Sequence, residues 1–575
     1  MYSPLPQSSE AFEALQWAEI EPWYRELAET TLAPDTLEPW LRQWSQLSAL
    51  VDETNTWLEI ATTRNTADET LSRRRKRFLD EIFTHVQHFD QQIKQQLLAS
   101  GLEPEGFALP LRKLQVDAEL FRPENVPLLN EEKKLGEEYL SINGAQTVLW
   151  EGKEIPIFSL YPQMQDPDRE RRQQAWRTFN ERKLQDREAL GEVWIQGLQV
   201  RQQIARNAGY DNYREYRWQQ LYRFDYTPDD CKALHEAVEQ VIVPIASQVA
   251  QKRRKLLGVE RLRPWDTIVG PWDTAVDPRS SEAPRAIEDI DALLRQCADM
   301  FDQIDPAFGG YFDTMIKEQC FDLEERANKA PGGYNLALEV KQLPFIFGHV
   351  MTMQDVWLIF HEAGHAFHTF EARGLPYVHQ RKESMLPMEF AEVASTSMEF
   401  IGSMYLLSCG LCSKEEARHM RFQLLEGTLL SLPRLIRGDA FQHWVYENPE
   451  QALDPEAVGR KWAELGRRFE PDPDWSELEA ANSNGWQYFQ HFFEVPFYYI
   501  EYAFALIGAL QVWRNYLRDP QGTIQQYRQA LSSGATRSLP ELYTAAGTKF
   551  AFDVTLLQDI VQLVTGKIEE LEQEV

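Results

Sequence analysis

The sequence is short of basic residues and of cysteine, and it lacks any long hydrophobic run. It holds 59 Lys and Arg against 89 Asp and Glu, which gives a formal net charge of −30. Binding to nucleic acid or to anionic lipid requires a basic surface, so we expect neither a nucleic acid nor a membrane as a partner. Two interpretations of the acidity stay open: it maintains solubility, or it also attracts cationic ligands.

Cysteine is scarce, with five residues in the chain. An odd and sparse set is typical of a protein from a reducing compartment. Cys409 and Cys412 have C-x-x-C spacing. A zinc knuckle would need a second such pair or a nearby histidine cluster, and the sequence has neither. We therefore predict no zinc knuckle at this pair.

Neither the N-terminus nor the apolar stretches of the sequence predict a targeting or membrane segment. The N-terminus, MYSPLPQSSEAFEAL, has no basic region followed by an apolar one, so it does not predict a signal peptide. The most apolar stretch, residues 497–513, is interrupted by Glu501 and is too short to span a bilayer. We therefore expect a cytoplasmic protein.

Most of the chain has the apolar spacings of three and four residues that predict helix. Two short regions differ. Residues 146–161 alternate around a Gly-Lys turn, which predicts a hairpin, and residues 319–347 contain Pro331-Gly332-Gly333 before an extended apolar run, which predicts a small sheet. The predicted helical segments are residues 8–30, 36–61, 67–100 and 167–206.

A chain of 575 residues is too long for one compact core. We predict a helical N-terminal lobe over residues 1–195 and a second, mostly helical lobe with a small sheet over residues 196–575. A continuous helix is expected to run through residue 195, so the predicted boundary falls within a helix and not in a linker.

The most informative stretch is His361-Glu362-Ala363-Gly364-His365, an H-E-x-x-H pattern. On a helix, a spacing of four puts both imidazoles on one face about 6 Å apart along the axis, so one ion can bind both. Glu362 can then take a proton from a metal-bound water. His368 shares this face, but it lies roughly 10 Å along the axis from His361. We therefore predict that His368 packs near the ligands or supports them rather than binding the ion.

A catalytic zinc needs three protein ligands and an open position, so a third ligand must come from elsewhere. The next helical segment, residues 387–402, carries Glu389, Glu392 and Glu399 near one face. The carboxylates on this face are either metal ligands, since a partly buried carboxylate needs a partner, or a solvated acidic stripe. The spacing alone does not choose among the three glutamates.

A third segment, residues 486–513, is rich in aromatic residues. Pro496 predicts the first turn of a helix. Tyr498 and Tyr502 then share a face, Tyr499 converges with Tyr502, and His491 precedes the proline. These hydroxyls and the imidazole suit stabilisation of an oxyanion, whereas the alternative interpretation is an aromatic core helix.

Together these stretches resemble the oligoendopeptidase F-like zinc metallopeptidases, relatives of thimet oligopeptidase. The resemblance implies a zinc metalloendopeptidase, with one zinc ion in a catalytic lobe over residues 196–575. It also implies a mainly α, multi-helical, two-lobed ellipsoid with a deep substrate channel, a small β-sheet near the zinc site, and short unstructured peptides as partners. The matching residues are DVWLIFHEAGHAFH at 355–368, PMEFAEVASTSMEF at 387–400, PFYYIEY at 496–502 and DLEERANKAPGGY at 322–334.

The resemblance also implies roles for single residues. His361, His365 and Glu392 would bind zinc, Glu362 would be the general base, and Glu399 would orient a ligand histidine. The groups implied to meet the scissile carbonyl or the peptide backbone are His491, Tyr498 and Tyr502, and those of the strand-like substrate segment are Gly332, Gly333 and Tyr334. Asn335 departs from the family pattern, where many close relatives have cysteine.

Two other functions stay open at this stage. A carboxypeptidase or dipeptidase on a related helical zinc scaffold would need a basic residue to bind the free carboxylate, and Arg434 or Arg437 could serve. A non-enzymatic peptide-binding protein would retain the ligands without activity, but the presence of Glu362 beside them argues against it. The sequence does not fix the oligomeric state.

Overall fold

The computed structural model describes residues 2–267 and 285–574. Helices make up most of it, as predicted. The α-helices are α1 Ser9–Glu13, α2 Trp17–Glu29, α3 Pro34–Arg64, α4 Glu69–Phe78, α5 Thr84–Ser100, α6 Ala108–Leu120, α7 Val126–Gly144, α8 Tyr161–Met164, α9 Arg169–Gln185, α10 Arg187–Asn207, α11 Tyr213–Gln220, α12 Pro228–Leu257, α13 Ile290–Ile304, α14 Pro306–Lys317, α15 Val356–Glu371, α16 Met388–Gly402, α17 Lys414–Glu447, α18 Pro455–Phe469, α19 Glu479–Asn484, α20 Gln490–Glu494, α21 Tyr499–Tyr516, α22 Pro520–Leu531, α23 Leu539–Ala545 and α24 Val554–Gln573. The strands are β1 Thr147–Trp150, β2 Lys153–Pro156, β3 Phe321–Asp322, β4 Tyr334–Leu338 and β5 Leu343–Phe347.

The four predicted helical segments are helical, and three of them are divided into shorter helices, whereas residues 36–61 lie within the single helix α3. A π-helical turn, Leu79–Phe83, separates α4 from α5, and Asp186 separates α9 from α10. Helix α10 runs through residue 195, as expected of the predicted boundary. In the described part of the chain, no helix combines the length and the apolar character that crossing a bilayer requires.

The chain forms two compact units, each assembled from three segments. The first unit comprises Met1–Glu119, Pro284–Ala417 and Gly508–Phe550, and the second comprises Leu120–Ala283, Arg418–Ile507 and Ala551–Val575. This division does not follow the predicted boundary at residue 195. Contacts distant in sequence explain the difference: in the first unit, buried Glu53 on α3 accepts hydrogen bonds from the backbone amides of Val340 and Lys341 at 2.7 and 2.9 Å.

Both predicted β regions are present. In the second unit, β1 and β2 form an antiparallel hairpin with Leu149 opposite Glu154. In the first unit, a three-stranded sheet has the order β3-β5-β4, with β5 parallel to β3 and antiparallel to β4. Helix α15 packs against β4 and β5, so this sheet lies directly beside the helix that carries the H-E-x-x-H pattern.

Close helix packing positions the two segments of the first unit that carry the predicted metal ligands. Helices α15 and α16 pack against each other extensively. Gly364 permits it, since a Cβ there would lie 2.5 Å from Ser395 Cα and 2.6 Å from the carbonyl oxygen of Ala394. The missing side chain therefore lets the α16 backbone approach the turn of α15 that holds both histidines.

Candidate metal centre

Three predicted ligands converge in the first unit. His361 and His365 lie four residues apart on α15, and Glu392 lies on α16. Glu392 Oε2 is 3.3 Å from His361 Nε2 and 3.7 Å from His365 Nε2. One donor atom from each residue lies within 4.8 Å of the other two, the arrangement that a single metal ion requires.

Hydrogen bonds outside this triad orient two of its members. His361 Nδ1 lies 2.8 Å from Glu399 Oε1. Because a carboxylate only accepts, Nδ1 carries the proton and Nε2 is directed towards Glu392. The Ser395 hydroxyl donates to Glu392 Oε2 at 3.1 Å. These contacts are of the kind that fixes ligand histidines and carboxylates at metal sites. The role implied for Glu399, orienting a ligand histidine, stays a prediction.

The electrostatics of the triad favour a cation between its members. Burial would raise the pKa of Glu392, but its hydrogen bond with His361 and the nearby imidazoles lower it to about 2. Burial lowers the pKa of His365 to about 4, so its imidazole is neutral at pH 7. Burial also acts to lower the pKa of His361, but Glu392 and Glu399 together raise it well above its ordinary value. His361 Nε2 therefore favours a positive partner, which a proton or a metal ion can supply.

Glu362 is buried beside the triad, with a 6 % exposed fraction. Burial raises its pKa to about 7; the His361 charge opposes this rise, and the carboxylates of Glu392, Glu383 and Glu399 reinforce it. A carboxyl group with this pKa can both accept and return a proton near neutral pH. Asn335 on β4 donates through Nδ2 to the Glu362 backbone oxygen at 3.3 Å, a contact that sequence reasoning missed.

His368 does not support the ligands through a hydrogen bond. It is 3 % exposed, and neither ring nitrogen has a hydrogen-bond partner among the described residues. Burial lowers the pKa of His368 to about 3, so the ring is neutral and packs beside Phe390, with ring centroids 6.5 Å apart. Of the two roles predicted for His368, the structure therefore favours packing. Glu389 is buried as well, but it lies outside the cluster formed by the described metal-binding atoms.

The predicted substrate segment forms the edge strand β4 and the turn before it. The Tyr334 hydroxyl makes a 2.6 Å hydrogen bond with the Thr63 hydroxyl, and its ring stacks on Phe347 with centroids 4.8 Å apart. Gly332 has φ +98, and a Cβ on Gly333 would lie 2.6 Å from Leu358 Cδ1 on α15. Tyr334 is thus held within the first unit, and backbone contact between this segment and a peptide stays a prediction.

His491, Tyr498 and Tyr502 form an aromatic cluster in the second unit. The His491 ring centroid lies 5.7 Å from that of Tyr498 and 6.0 Å from that of Tyr502, and burial lowers the pKa of His491 to about 4. Tyr499 is fully buried, whereas Tyr498 and Tyr502 are partly exposed, which agrees with the preference for the latter pair. Their role in oxyanion stabilisation stays a prediction.

The helix start predicted at Pro496 is wrong. Helix α21 begins at Tyr499, and Phe497 has φ +69, outside the helical region. Side chains distant in sequence form hydrogen bonds with the backbone of Pro496 and Phe497, and these bonds stabilise a non-helical turn. Arg217 Nε donates to the Pro496 carbonyl at 3.2 Å, Arg223 donates to the Phe497 carbonyl, and the Phe497 amide donates to Gln442.

The chain matches the peptidase family M3 profile over residues 163–293 and 295–561, and the peptidase M3 N-terminal domain over residues 8–106. An oligoendopeptidase F homolog of Borreliella burgdorferi is 20% identical over 416 residues, which cover 71% of this chain and 67% of that protein. The two profiles together account for most of the chain.

Two solved structures are similar over nearly their whole length. One, PZ peptidase A with an inhibitor, has a TM-score of 0.85 and 25% identity, with 97% of this chain and 99% of that chain covered. The other, provisionally described as an oligoendopeptidase F, has a TM-score of 0.86 and 25% identity, with 98% of each chain covered. The predicted mainly α fold and the resemblance on which it rests are confirmed. The family profile, the matching folds and the buried His-His-Glu cluster with its adjacent glutamate agree: the chain belongs to peptidase family M3 and is a metallo-oligopeptidase.

Proposed function

We propose that the protein is a zinc-dependent endopeptidase that hydrolyses internal bonds of short, unstructured peptides. The observation that carries this proposal is the convergence of His361, His365 and Glu392 beside a buried glutamate whose pKa is about 7. Two imidazoles and one carboxylate form a donor set typical of catalytic zinc, with a position left for water or substrate. Cobalt or manganese would also fit these ligands, so the metal itself has to be measured.

Zinc, when bound, lowers the pKa of a water molecule and polarises the scissile carbonyl. Glu362 acts as the base that takes the water proton, and it then returns this proton to the leaving amine. Burial keeps the carboxyl group near the pKa at which both transfers are favourable. Glu399 holds His361 with Nε2 towards the triad, and Ser395 holds the Glu392 carboxylate.

The edge strand β4 supports a peptide as the substrate. Its neighbour in the sheet is β5, and β4 lies against α15, the helix that carries the two histidines. An edge strand can pair with an extended peptide through main-chain hydrogen bonds, which require no particular side chains. Because such pairing requires an extended chain, we propose short unstructured peptides rather than folded proteins as substrates.

The carboxypeptidase alternative loses its proposed carboxylate-binding residues. Arg434 and Arg437 are 6 % and 5 % exposed, and they already contact the two oxygens of Glu470 at 3.1 and 2.9 Å. Both guanidinium groups therefore neutralise the largely buried carboxylate of Glu470 in the second unit. A peptide and its C-terminally amidated twin should be cleaved at similar rates by an endopeptidase, whereas loss of cleavage on amidation would favour the alternative.

The central test is Glu362→Gln. This change removes the base while keeping the size of the side chain, so zinc content should be unchanged and kcat should fall by at least about 10²-fold. Zinc is counted by mass spectrometry, and cleavage is followed on a mixed peptide pool. Glu371→Gln on the same helix is the matched control and should retain activity. Near-normal cleavage by Glu362→Gln would refute the mechanism.

A further inference from the structure

A second cluster of metal-binding side chains lies in the second unit. Helix α12 carries Cys231 and His235, and α17 carries Asp439 and His443, so each helix presents two such residues four positions apart. All four are buried, with exposed fractions of 0 % for Cys231 and Asp439, 4 % for His235 and 2 % for His443. Residues of these types at this depth require partners for their polar atoms.

The donor atoms of three of these residues converge. One atom each from Cys231, Asp439 and His443 lies within 4.8 Å of the other two, the same closeness as in the catalytic triad. Two atoms of these residues, Asp439 Oδ1 and His443 Nε2, make no hydrogen bond in the described part of the chain. His443 Nε2 lies 3.2 Å from Asp439 Oδ2. A buried carboxylate oxygen without a partner is costly, so Asp439 Oδ1 favours a cation at this cluster.

The other carboxylate oxygen of Asp439, Oδ2, already has a hydrogen-bond partner. His235 Nε2 lies 2.8 Å from Asp439 Oδ2, a distance that fits a hydrogen bond from the ring to the carboxylate. This bond fixes the carboxylate plane and leaves Oδ1 available. At metal sites, ligand carboxylates are commonly held by such an outer hydrogen bond.

We propose that Cys231, Asp439 and His443 bind a second zinc ion, separate from the catalytic one. A thiolate, an imidazole and a carboxylate together favour zinc over magnesium or calcium, which prefer oxygen donors alone. The ligands would be Cys231 Sγ, Asp439 Oδ1 and His443 Nε2, with His235 orienting the carboxylate. Because all four side chains are buried, the ion would join α12 to α17 and would not take part in peptide cleavage.

Arg214 must give up its contact with His443 when the ion binds. Arg214 Nη1 lies 3.3 Å from His443 Nδ1 and also contacts Glu447. Zinc at Nε2 places the ring proton on Nδ1, so Arg214 then keeps only its Glu447 contact. The exchange is feasible because Glu447 remains as the ion-pair partner of the guanidinium group.

The test uses the full chain, stripped of metal and titrated with Co²⁺. The catalytic triad contains no sulfur, so a thiolate-to-cobalt charge-transfer band reports on the second site alone. We expect two ions per wild-type chain and the charge-transfer band. Cys231→Ser should bind one ion and lose the band, whereas Glu392→Gln should keep the band. Cys320→Ser, a buried cysteine of the first unit, is the matched control and should behave as wild type.

X-ray absorption on the wild-type protein loaded with two equivalents of zinc makes the test independent of whether a variant folds. We expect a sulfur neighbour at about 2.3 Å from zinc. A wild-type chain that binds one ion, with no thiolate band and no sulfur neighbour, would overturn the proposal. Peptide cleavage is assayed separately, so inactivity would count against the proposed peptidase function and leave the second site unaffected.

Discussion

In the candidate site, the pKa values of the neighbouring residues His361 and Glu362 are both raised, which disfavours the deprotonated form of each. In the proposed mechanism, His361 offers a neutral Nε2 to the metal, although Glu392 and Glu399 raise its pKa. In the same mechanism, Glu362 becomes a carboxylate to act as a base, although burial raises its pKa to about 7. A bound dication would favour the deprotonated form of both residues, since it displaces a proton from His361 and stabilises the negative charge on Glu362.

The pH dependence of cleavage should follow Glu362. The carboxylate is the active form of the base, so kcat/KM should fall as the pH drops through the pKa of Glu362 and should reach a plateau above it. The midpoint should lie no higher than about 7, because a bound dication can only lower this pKa. Below it the rate should fall about tenfold per pH unit. Peptide hydrolysis is measured across the acidic and neutral range, with bound zinc counted at each pH, and a flat profile at constant zinc content would contradict the assignment.

Glu399 should contribute to metal affinity rather than to the chemical step. Its carboxylate accepts from His361 Nδ1 at 2.8 Å and so selects the tautomer that binds metal. We expect Glu399→Gln to weaken zinc binding by about 10- to 100-fold, as loss of an outer hydrogen bond typically does. Competition with a chromophoric chelator measures the affinity, and kcat per bound zinc should change less than the affinity does. Glu389→Gln on the same helix is the control, and equal affinities for both variants would contradict this role.

At the scale of elements, the contact between α15 and α16 decides whether the triad forms. His361 and His365 come from one helix and Glu392 from the other, so a shift between the helices changes every distance in the triad. The contact depends on Gly364, at the centre of the H-E-x-x-H pattern, where an added Cβ would approach backbone atoms that cannot move independently.

Gly364→Ala should therefore destabilise the first unit and reduce metal binding together. Its Cβ would lie 2.5 Å from Ser395 Cα, and overpacking of this kind costs about 1–3 kcal/mol. Gly310→Ala in α14 is the matched control, because an added Cβ there meets nothing within 4 Å. Alanine favours helix over glycine by roughly 0.5–1 kcal/mol, so the control should unfold at equal or higher urea concentration. Equal urea midpoints for Gly364→Ala and Gly310→Ala would contradict this prediction, because they would show that α15 and α16 can move apart without loss of stability.

The elements that local sequence determines were predicted well. Helix α16 begins one residue after its predicted start and ends at its predicted end, since apolar periodicity and good helix formers agree there. The β1–β2 hairpin and the sheet after Pro331 were likewise expected from alternation and turn residues. The start of α21 was missed because Arg217, Arg223 and Gln442, all more than fifty residues away, bind the backbone of the preceding turn. No local pattern carries that information.

The candidate site shows the same limit of prediction from local sequence patterns. The pattern of spacing identified His361, His365 and Glu362, but it left Glu389, Glu392 and Glu399 as alternatives. Packing of α15 on α16 separates them, since Glu392 contacts both imidazoles and Glu399 contacts the far side of His361. Such choices depend on the rotation of one helix against another, which a single sequence does not encode visibly.

For the whole molecule, the sequence predicted more than one compact unit but not their composition. Each unit draws on three segments, so residues 1–119 share a unit with α15 and α16 instead of forming a separate lobe. In the first unit, Ser45 on α3 accepts a hydrogen bond from the Val378 amide at 2.7 Å, one of the long-range contacts that produce this arrangement. Composition and periodicity report on local segments, and they contain no signal for such pairings.

The net charge of the whole molecule should affect which peptides it cleaves fastest. With a net charge of −30, the protein should attract cationic peptides electrostatically. Salt weakens this attraction, since the Debye length is about 10 Å at 0.1 M ionic strength. A peptide extended by lysines should show a higher kcat/KM than the same peptide extended by glutamates, and the ratio should shrink towards one as salt is added. Hydrolysis of both peptides is measured over a salt series at fixed pH, with a serine-extended peptide as the neutral control. A ratio that does not change with salt would assign the preference to contacts at the site, and equal rates at low salt would leave solubility as the only role of the acidity.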